Sequence, residues 1–250
     1  MNNEISPVIE VQNKHVTIRS FTTESVSNEL LNQVIEAGRR APTSSNMQAY
    51  SIITIKNHDI KKKLSILAGN QKHVETCPVF LAFCADIHRL KIACSMHDIE
   101  MAASLESTFI ATIDASLVGM SVQTAIESLG MGGVMIGALR NNLLEVAELL
   151  GLPPGVFVVF GMCVGWPEKS AIPKQKPRLP RALVVHEEQY NTSNEQEEIA
   201  SYDKTLADHY GSQNRNLASA AWSGIIARSL GKRLRPDLGA ALAKLGMSTQ

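Results

Sequence analysis

Hydrogen-bonding side chains are unusually dense at one place in the sequence, between a helix-like segment and an apolar strand. Hydroxyls and amides grouped at a helix end can bind a phosphate, a polyol chain or the edge of a heterocycle. Taken alone, the same grouping also fits a capping and turn motif, and the residues leave both interpretations open. Within the stretch APTSSNMQAYSIITI, at 41–55, the grouped residues are Thr43, Ser44, Ser45, Asn46 and Gln48.

Two short basic segments have a spacing that suits an anion. In KHVTIRSF, Thr17 and Arg19 lie two residues apart, which puts both on one side of an extended segment that begins near His15. The planar guanidinium of Arg19 presents a fork of donors that matches a phosphate. In KQKPRLP, Lys176 and Arg178 have the same spacing in a proline-stiffened loop. Each segment alone is also typical of an ordinary charged surface.

Two further stretches would let a ligand approach the backbone closely. LAGNQKHV places Gln71 after a glycine turn, where its amide could reach the edge of a ring. GMGGVMIGALRNN, at 130–142, is rich in glycine, which permits φ > 0 and leaves backbone N–H groups uncovered. Both stretches also fit ordinary turns that bound a buried strand.

The sequence lacks the motifs of enzymes that do chemistry with their own side chains. It has no G-x-S-x-G, no H-E-x-x-H and no P-loop, and no G-x-G-x-x-G opens a helix after a strand. The seven histidines are scattered and no acid–base pair stands out; His73 could be a ligand or a base, although a structural role is commoner. A chain rich in phosphate and amide donors but poor in catalytic side chains indicates a bound cofactor that carries the chemistry. No metal site is predicted.

Composition limits the partners and the compartment. The 250 residues hold 24 Lys plus Arg and 24 Asp plus Glu, and this balance argues against nucleic acid or an anionic membrane as the main partner. We find no secretory signal, and the longest apolar candidate, 99–129, is interrupted by Asp114 and by three glutamates, so no membrane span is expected. The four cysteines lack a C-x-x-C pair, which predicts reduced, buried thiols in a cytoplasmic protein.

Hydrophobic periodicity predicts interleaved helices and strands. Helices are predicted within 25–42, 58–69, 141–155, 218–230 and 236–245. Strands are predicted within 50–55, 78–86, 131–139 and 156–167. Ser27 or Asn28 is expected to cap the first helix, and the polar segment after residue 185 receives no element before 218.

The longest predicted helix, at 104–129, carries apolar or small residues on most of its faces. A helix that is apolar nearly all round is expected to be buried, either in a core or against a second subunit. The periodicity alone leaves that choice open.

Seven stretches occur together, in one order along the chain: H-x-T-I-R-x-F, APTSSNMQAYS, AGNQKHV, FCAD, ESLGMGGVMIGALRNN, VFG-x-C-x-GWP and KPRLP. As an ordered set they resemble the oxygen-insensitive, NADPH-dependent FMN nitroreductases and the related NADPH–flavin oxidoreductases. The resemblance runs from about His15 to Pro236, and no single stretch carries it.

The resemblance implies an α+β fold of the nitroreductase type, with a mainly antiparallel sheet flanked by helices and a long central helix at a dimer interface. It implies a homodimer that binds FMN at that interface. It also implies an FMN-binding core at 1–185 and a C-terminal extension at 186–250 that packs on the core and on the partner subunit.

The resemblance further assigns cofactor contacts residue by residue. The N-terminal segment and the basic loop would hold the phosphate and ribityl chain, while the polar loop, Gln71 and the glycine-rich segment would contact the ribityl chain and the ring. The residues so assigned to FMN are His15, Thr17, Arg19, Thr43, Ser44, Ser45, Asn46, Gln48, Gln71, Met135, Ile136, Gly137, Ala138, Lys176 and Arg178. Val16, Met135 and Ala138 stand where relatives often have other residues. Arg215 and Arg235 are the candidates for the 2′-phosphate of NADPH.

The implied function is an FMN-dependent oxidoreductase that uses NAD(P)H, with NADPH preferred, in a ping-pong two-electron reduction. Nitroaromatics, quinones, free flavins, azo dyes and chromate are the expected acceptors. No catalytic side chain is assigned, because the flavin would carry the chemistry and water could supply the proton. The alternative is a non-catalytic FMN-binding protein for storage or for interaction with another protein.

Overall fold

A computed structural model describes residues 5–213 and 222–249. Contacts divide the described chain into two compact units, one within Met1–Pro173 and Asp237–Gln250 and the other within Lys174–Pro236. Each unit has its own apolar cluster. The division at residue 185 expected from the sequence involves a partner subunit and stays a prediction.

The larger unit is built on a sheet of four antiparallel strands: β1 (Tyr50–Ile55), β2 (Val79–Asp86), β3 (Gly132–Ile136) and β4 (Val156–Gly165). The strand order is β1-β2-β4-β3, so β1 and β3 form the two edges. All residues of β2 and β4 are buried, because helices and loops cover both faces of the sheet centre. This burial explains why these two strands are apolar runs rather than alternating patterns.

The two edge strands begin at opposite ends of the sheet. Tyr50 of β1 pairs with Ala85, which pairs with Phe157 near the start of β4. Gly132 of β3 pairs with Gly165, at the end of β4. The starts of β1 and β3 are therefore diagonally opposite corners of the sheet.

Helices flank the sheet and also occur in the smaller unit. Those in the described residues are α1 (Pro7–Asn13), α2 (Asn28–Gly38), α3 (His58–Leu67), α4 (Lys72–Thr76), α5 (His88–Ser95), α6 (Leu105–Ser128), α7 (Leu143–Leu149), α8 (Glu195–Gly211), α9 (Ser223–Leu230) and α10 (Leu238–Lys244). The α+β fold, with an antiparallel sheet, many helices and one long helix, confirms the architecture expected from the sequence.

The strongly periodic helices were predicted correctly. Ser27 caps α2 by accepting a hydrogen bond from the N–H of Leu30, as the sequence suggested. The sequence reasoning missed α1, α4, α5 and α8. The buried apolar residues of α8 are limited to Tyr202, Leu206 and Tyr210. So few apolar positions among charged residues do not produce a recognisable helical pattern in the sequence.

The long helix α6 is apolar on most faces, yet it is buried on one side only. Ala111, Ala115, Val118, Val122 and Ile126 are fully buried on the side that packs against α2 and β2. The opposite side has apolar residues three or four positions apart that are 40–55% exposed; we call them the α6 stripe, and they are Leu105, Phe109, Ile113, Leu117 and Met120. Among the described residues α6 alone is long and apolar enough to cross a membrane, but its packing on the sheet makes it a core helix.

The four cysteines are free thiols, as predicted. Cys77, Cys84 and Cys163 are buried, whereas Cys94 is partly exposed. Burial raises the pKa of the Cys84 thiol to about 12, so this group stays protonated at neutral pH.

Candidate functional site

The N-terminal basic segment lies along the edge strand β3. The N–H of Ile18 donates to the carbonyl of Gly133 at 3.0 Å, and the buried Ile18 side chain packs over Gly132. A Cβ at Gly132 would lie 2.4 Å from Cγ1 of Ile18, so only glycine allows this approach. Thr17 and Arg19 point away from Ile18 in the extended segment. Arg19 is exposed and forms no ion pair within the described part of the chain.

His15, by contrast, is tied to α6. Its Nδ1 lies 2.5 Å from Oε1 of Glu127, and Nε2 of Gln123 donates to the same oxygen at 2.7 Å. Both α6 residues are largely buried, so the network fixes the imidazole ring on the helix. A ring held in this way can position a ligand group without rotating.

Helix α4, which follows Gln71, comes close to Arg19 through His73. Gln71 turns its side chain back to donate to the carbonyl of Ala68 at 2.8 Å. His73, on α4, has a buried Nε2 that finds no hydrogen-bond partner among residues 5–213 and 222–249. Burial lowers the pKa of His73, and the positive charge of Arg19 lowers it further. The structure therefore brings the 15–19 segment, α4 and β3 to one corner of the sheet, which we call the cationic corner.

The end of β3 exposes one side chain toward solvent. Met135 is 42% exposed, whereas its neighbours Val134 and Ile136 are buried on the other face of the strand. Ile136 can therefore offer a ligand only its backbone. Gly137 opens a 3₁₀ turn, where an added Cβ would lie 3.2 Å from Nη2 of Arg140. Ala138 is partly buried in the same turn.

The polar loop at 43–48 has an unusual backbone. Three non-glycine residues adopt left-handed φ values: 47° at Ser45, 58° at Asn46 and 51° at Gln48. Such residues each cost on the order of 1 kcal/mol, and they persist only where neighbouring contacts hold them. Here the carboxylate of Asp114 on α6, only 1% exposed, accepts the N–H of Ser44 and the N–H of Ala49, each at 3.0 Å.

The polar loop and the cationic corner are far apart within one chain. The polar loop leads into β1 at Tyr50, and the cationic corner adjoins β3 at Gly132. Three strand spacings separate the edges, about 14 Å, and the eight residues from Phe157 to Gly165 add about 26 Å along the sheet. The family resemblance assigns all these residues to one cofactor, but a single chain does not bring the two sets together.

The smaller unit holds the basic loop on α8. Tyr202 donates its hydroxyl to the carbonyl of Pro177 at 2.8 Å, and Nζ of Lys176 lies 5.9 Å from the centre of the Tyr210 ring. Burial raises the pKa of Tyr202, and the charge of Arg178 acts in the opposite direction. Arg235 is partly buried with a φ of 45°, and Arg215 lies outside the described residues.

Comparisons with known proteins decide the family. A profile described as "Nitroreductase family" matches residues 13–166, and one described as "Nitroreductase family, C-terminal domain" matches residues 176–250. The chain belongs to the nitroreductase family. This confirms the resemblance that the ordered stretches indicate.

Individual relatives agree with the family over the whole chain. The oxygen-insensitive NADPH nitroreductase of Salmonella typhimurium is 40% identical over 98% of this chain and 100% of its own length. The structure of the NADPH:FMN oxidoreductase from Vibrio harveyi complexed with NAD⁺ covers 98% of this chain and 100% of its own, with 35% identity and a TM-score of 0.88. The structure of the hypothetical oxidoreductase YcnD from Bacillus subtilis gives a TM-score of 0.94 at 38% identity, covering 98% of this chain and 100% of its own.

Three residues that hold parts of the candidate site in this nitroreductase-family chain were not singled out by sequence reasoning: Asp114, Gln123 and Glu127. Asp114 was noted only as an interruption of an apolar stretch. An acidic residue inside a buried helix is itself a signal, because a buried carboxylate requires partners. What the sequence could not show is which backbone groups those partners are.

Proposed function

We propose that this chain is an FMN-dependent oxidoreductase that uses NAD(P)H, with NADPH preferred, to reduce nitroaromatics, quinones, flavins or similar electron-poor acceptors. Support comes from membership of the nitroreductase family and from full-length relatives named as an NADPH nitroreductase and as an NADPH:FMN oxidoreductase. Bound FMN would supply the two-electron redox chemistry between nucleotide and acceptor.

The residues present fit FMN. The exposed guanidinium of Arg19, which forms no ion pair among the described residues, suits the phosphate, and Thr17 on the same side can donate to it. The hydroxyls and amides of the polar loop suit the ribityl hydroxyls and the polar ring edge. The exposed Met135 and the absence of a side chain at Gly137 allow a flat ring to lie against the end of β3.

These residues bind and orient the ligand rather than transfer protons. Arg19, with Lys176 and Arg178 of the basic loop, would hold the phosphate, and His15 would present a ring fixed by Glu127. Gln71 and the polar loop would set the position of the ring, which decides how a nicotinamide and an acceptor stack on it. Arg235, with Arg215, would contact the 2′-phosphate of NADPH.

We further propose that the protein is a homodimer. The distance between the polar loop and the cationic corner within one chain supports this proposal. Asp114 and Glu127 lie thirteen residues apart on α6, about 20 Å, and the α6 stripe ends between them at Met120. An antiparallel pairing of two α6 helices near Met120 would place Asp114 of one copy opposite Glu127 of the other. The polar loop of one subunit would then complete the cationic corner of its partner.

Two features of the whole chain belong to the same proposal. Residues 1–185 would form the FMN-binding core, and 186–250 would form an extension that packs on the core and on the partner. The four free thiols fit a reducing compartment, and we place the enzyme in the cytoplasm.

The first test is a visible spectrum of the purified protein, followed by anaerobic addition of NADPH. We expect a flavin band that bleaches on addition and that recovers when menadione or nitrofurazone is added. A bound flavin that no reduced nucleotide bleaches would support a non-catalytic flavin-binding protein instead. Absence of bound flavin after incubation with FMN would refute both the oxidoreductase and the non-catalytic flavin-binding hypothesis.

Arg19→Ala tests the phosphate contact. We expect FMN to bind about tenfold to a hundredfold more weakly, because a charge-assisted hydrogen bond to the phosphate is lost. Arg39→Ala is the matched control, since Arg39 forms an exposed ion pair with Glu36 at the end of α2. Equal FMN affinity in the two variants would show that the phosphate lies elsewhere.

A further inference from the structure

We propose that Asp114 is the positioning residue of the flavin site: its buried carboxylate holds the polar loop in the one conformation that accepts the ligand. This inference rests on the proposed function. Asp114 would touch no flavin atom and would act only through the loop backbone.

The contacts make Asp114 the structural link between α6 and the polar loop. Oδ1 accepts from the N–H of Ser44 and Oδ2 accepts from the N–H of Ala49, so one carboxylate binds both ends of the loop. The loop's own bonds are short-range turns, such as the N–H of Met47 to the carbonyl of Ser44 at 2.8 Å. Arg89, on α5, adds a bond to the carbonyl of Gln48 at 3.3 Å, inside the span that Asp114 closes but from a different helix.

The polar loop needs these two hydrogen bonds to Asp114 because its backbone is strained. Three left-handed residues within four positions, Ser45, Asn46 and Gln48, disfavour the observed path. Without the carboxylate the loop would relax to other conformations, and a ligand would have to order it again on binding. The apparent affinity for the flavin would fall in proportion to the fraction of molecules whose loop has the binding conformation.

The carboxylate of Asp114 also determines which part of FMN can bind at the polar loop. Asp114 occupies the N–H groups of Ser44 and Ala49, and its negative charge lies directly beneath the loop. A phosphate would meet repulsion there, and it would lack these donors. The loop therefore suits the uncharged ribityl chain or ring, and the phosphate must lie at the cationic corner with Arg19.

The test is Asp114→Asn, with dissociation constants for FMN and for riboflavin, which lacks the phosphate. Asparagine keeps the shape but can accept only one of the two N–H groups, because its NH₂ group opposes the other. We expect both flavins to bind about tenfold to a hundredfold more weakly, by the same factor. Arg19→Ala should weaken FMN alone and leave riboflavin unchanged.

Thr108→Val is the matched control on the same helix, because the buried Thr108 donates to the carbonyl of Ser248, which lies outside the polar loop. It should leave both dissociation constants unchanged even if it lowers the melting temperature. Amide hydrogen exchange in the flavin-free protein gives an independent readout. In Asp114→Asn the amides of Ser44 and Ala49 should lose protection while the amides of α6 keep it.

Three outcomes would overturn the proposal. They are unchanged affinities for both flavins, protection of Ser44 and Ala49 that survives the substitution, and a loss confined to FMN. If the wild-type protein binds neither flavin, the proposed function fails. The exchange experiment would then still decide whether Asp114 holds the loop.

Discussion

At the scale of single residues, charge links segments that are remote in sequence. Arg19 precedes the sheet and His73 lies on α4, yet burial and the guanidinium together lower the pKa of the imidazole. Since the folded state then binds fewer protons than the unfolded state, His73 opposes folding only as the pH falls below its unfolded pKa. At neutral pH the imidazole of His73 is therefore uncharged, and Arg19 supplies the positive charge that attracts an anion to this corner.

This link predicts an outcome for the titration of His73. In an NMR titration of the flavin-free protein, the midpoint of His73 should lie below the ordinary value for a histidine. Arg19→Ala should raise the midpoint, because a nearby positive charge is removed, but burial should keep it below the ordinary value. A midpoint that does not respond to Arg19→Ala would mean that the two side chains are not neighbours.

At the scale of elements, close packing at glycines sets how helices and strands meet. A Cβ at Gly161, in the central strand β4, would lie 2.0 Å from Cζ of the fully buried Phe80 on β2. The phenyl ring thus occupies the space that any side chain would need. The sequence pattern FGMC shows a glycine in an apolar run, but not the ring that fills its place.

Gly161→Ala should therefore destabilise the protein by about 1–3 kcal/mol, since overpacking forces the ring or the strand to move. Thermal unfolding should show a melting temperature lower by several degrees, roughly 2–4 °C per kcal/mol. Gly239→Ala is the control, because a Cβ there meets no atom within 4 Å and alanine favours the helix α10. Equal melting temperatures for the two variants would contradict the packing described for β2 and β4.

At the scale of the whole molecule, the exposed α6 stripe and the divided site lead to the same assembly. Leu117→Glu, in the middle of the stripe, should convert a dimer to a monomer in sedimentation velocity and should release FMN. A charge in an apolar interface would lose its hydration without gaining a partner. Ile66→Glu, at an exposed apolar residue of α3, should leave both the mass and the flavin content unchanged.

A mixed dimer tests whether the site is shared between subunits. In a heterodimer of Arg19→Ala and Asp114→Asn chains, one site would carry both defects and the other would carry neither. We expect about half of the wild-type flavin content, although each homodimer alone binds weakly. No recovery would mean that each site is built within a single chain.

The sequence by itself determined the elements with strong periodicity, the family and the chemical types of the site residues. The β-branched run at Tyr50–Ile55 and the capped helix α2 depend on local preferences, which a sequence displays directly. Only the tertiary structure decided that α6 is buried on one side, because burial depends on what packs against each face. It also decided that Asp114 holds the polar loop and that this loop and Arg19 lie at opposite corners of the sheet. The physical reason is that strand order and helix packing join residues by long-range contacts, which leave no periodic trace in the chain.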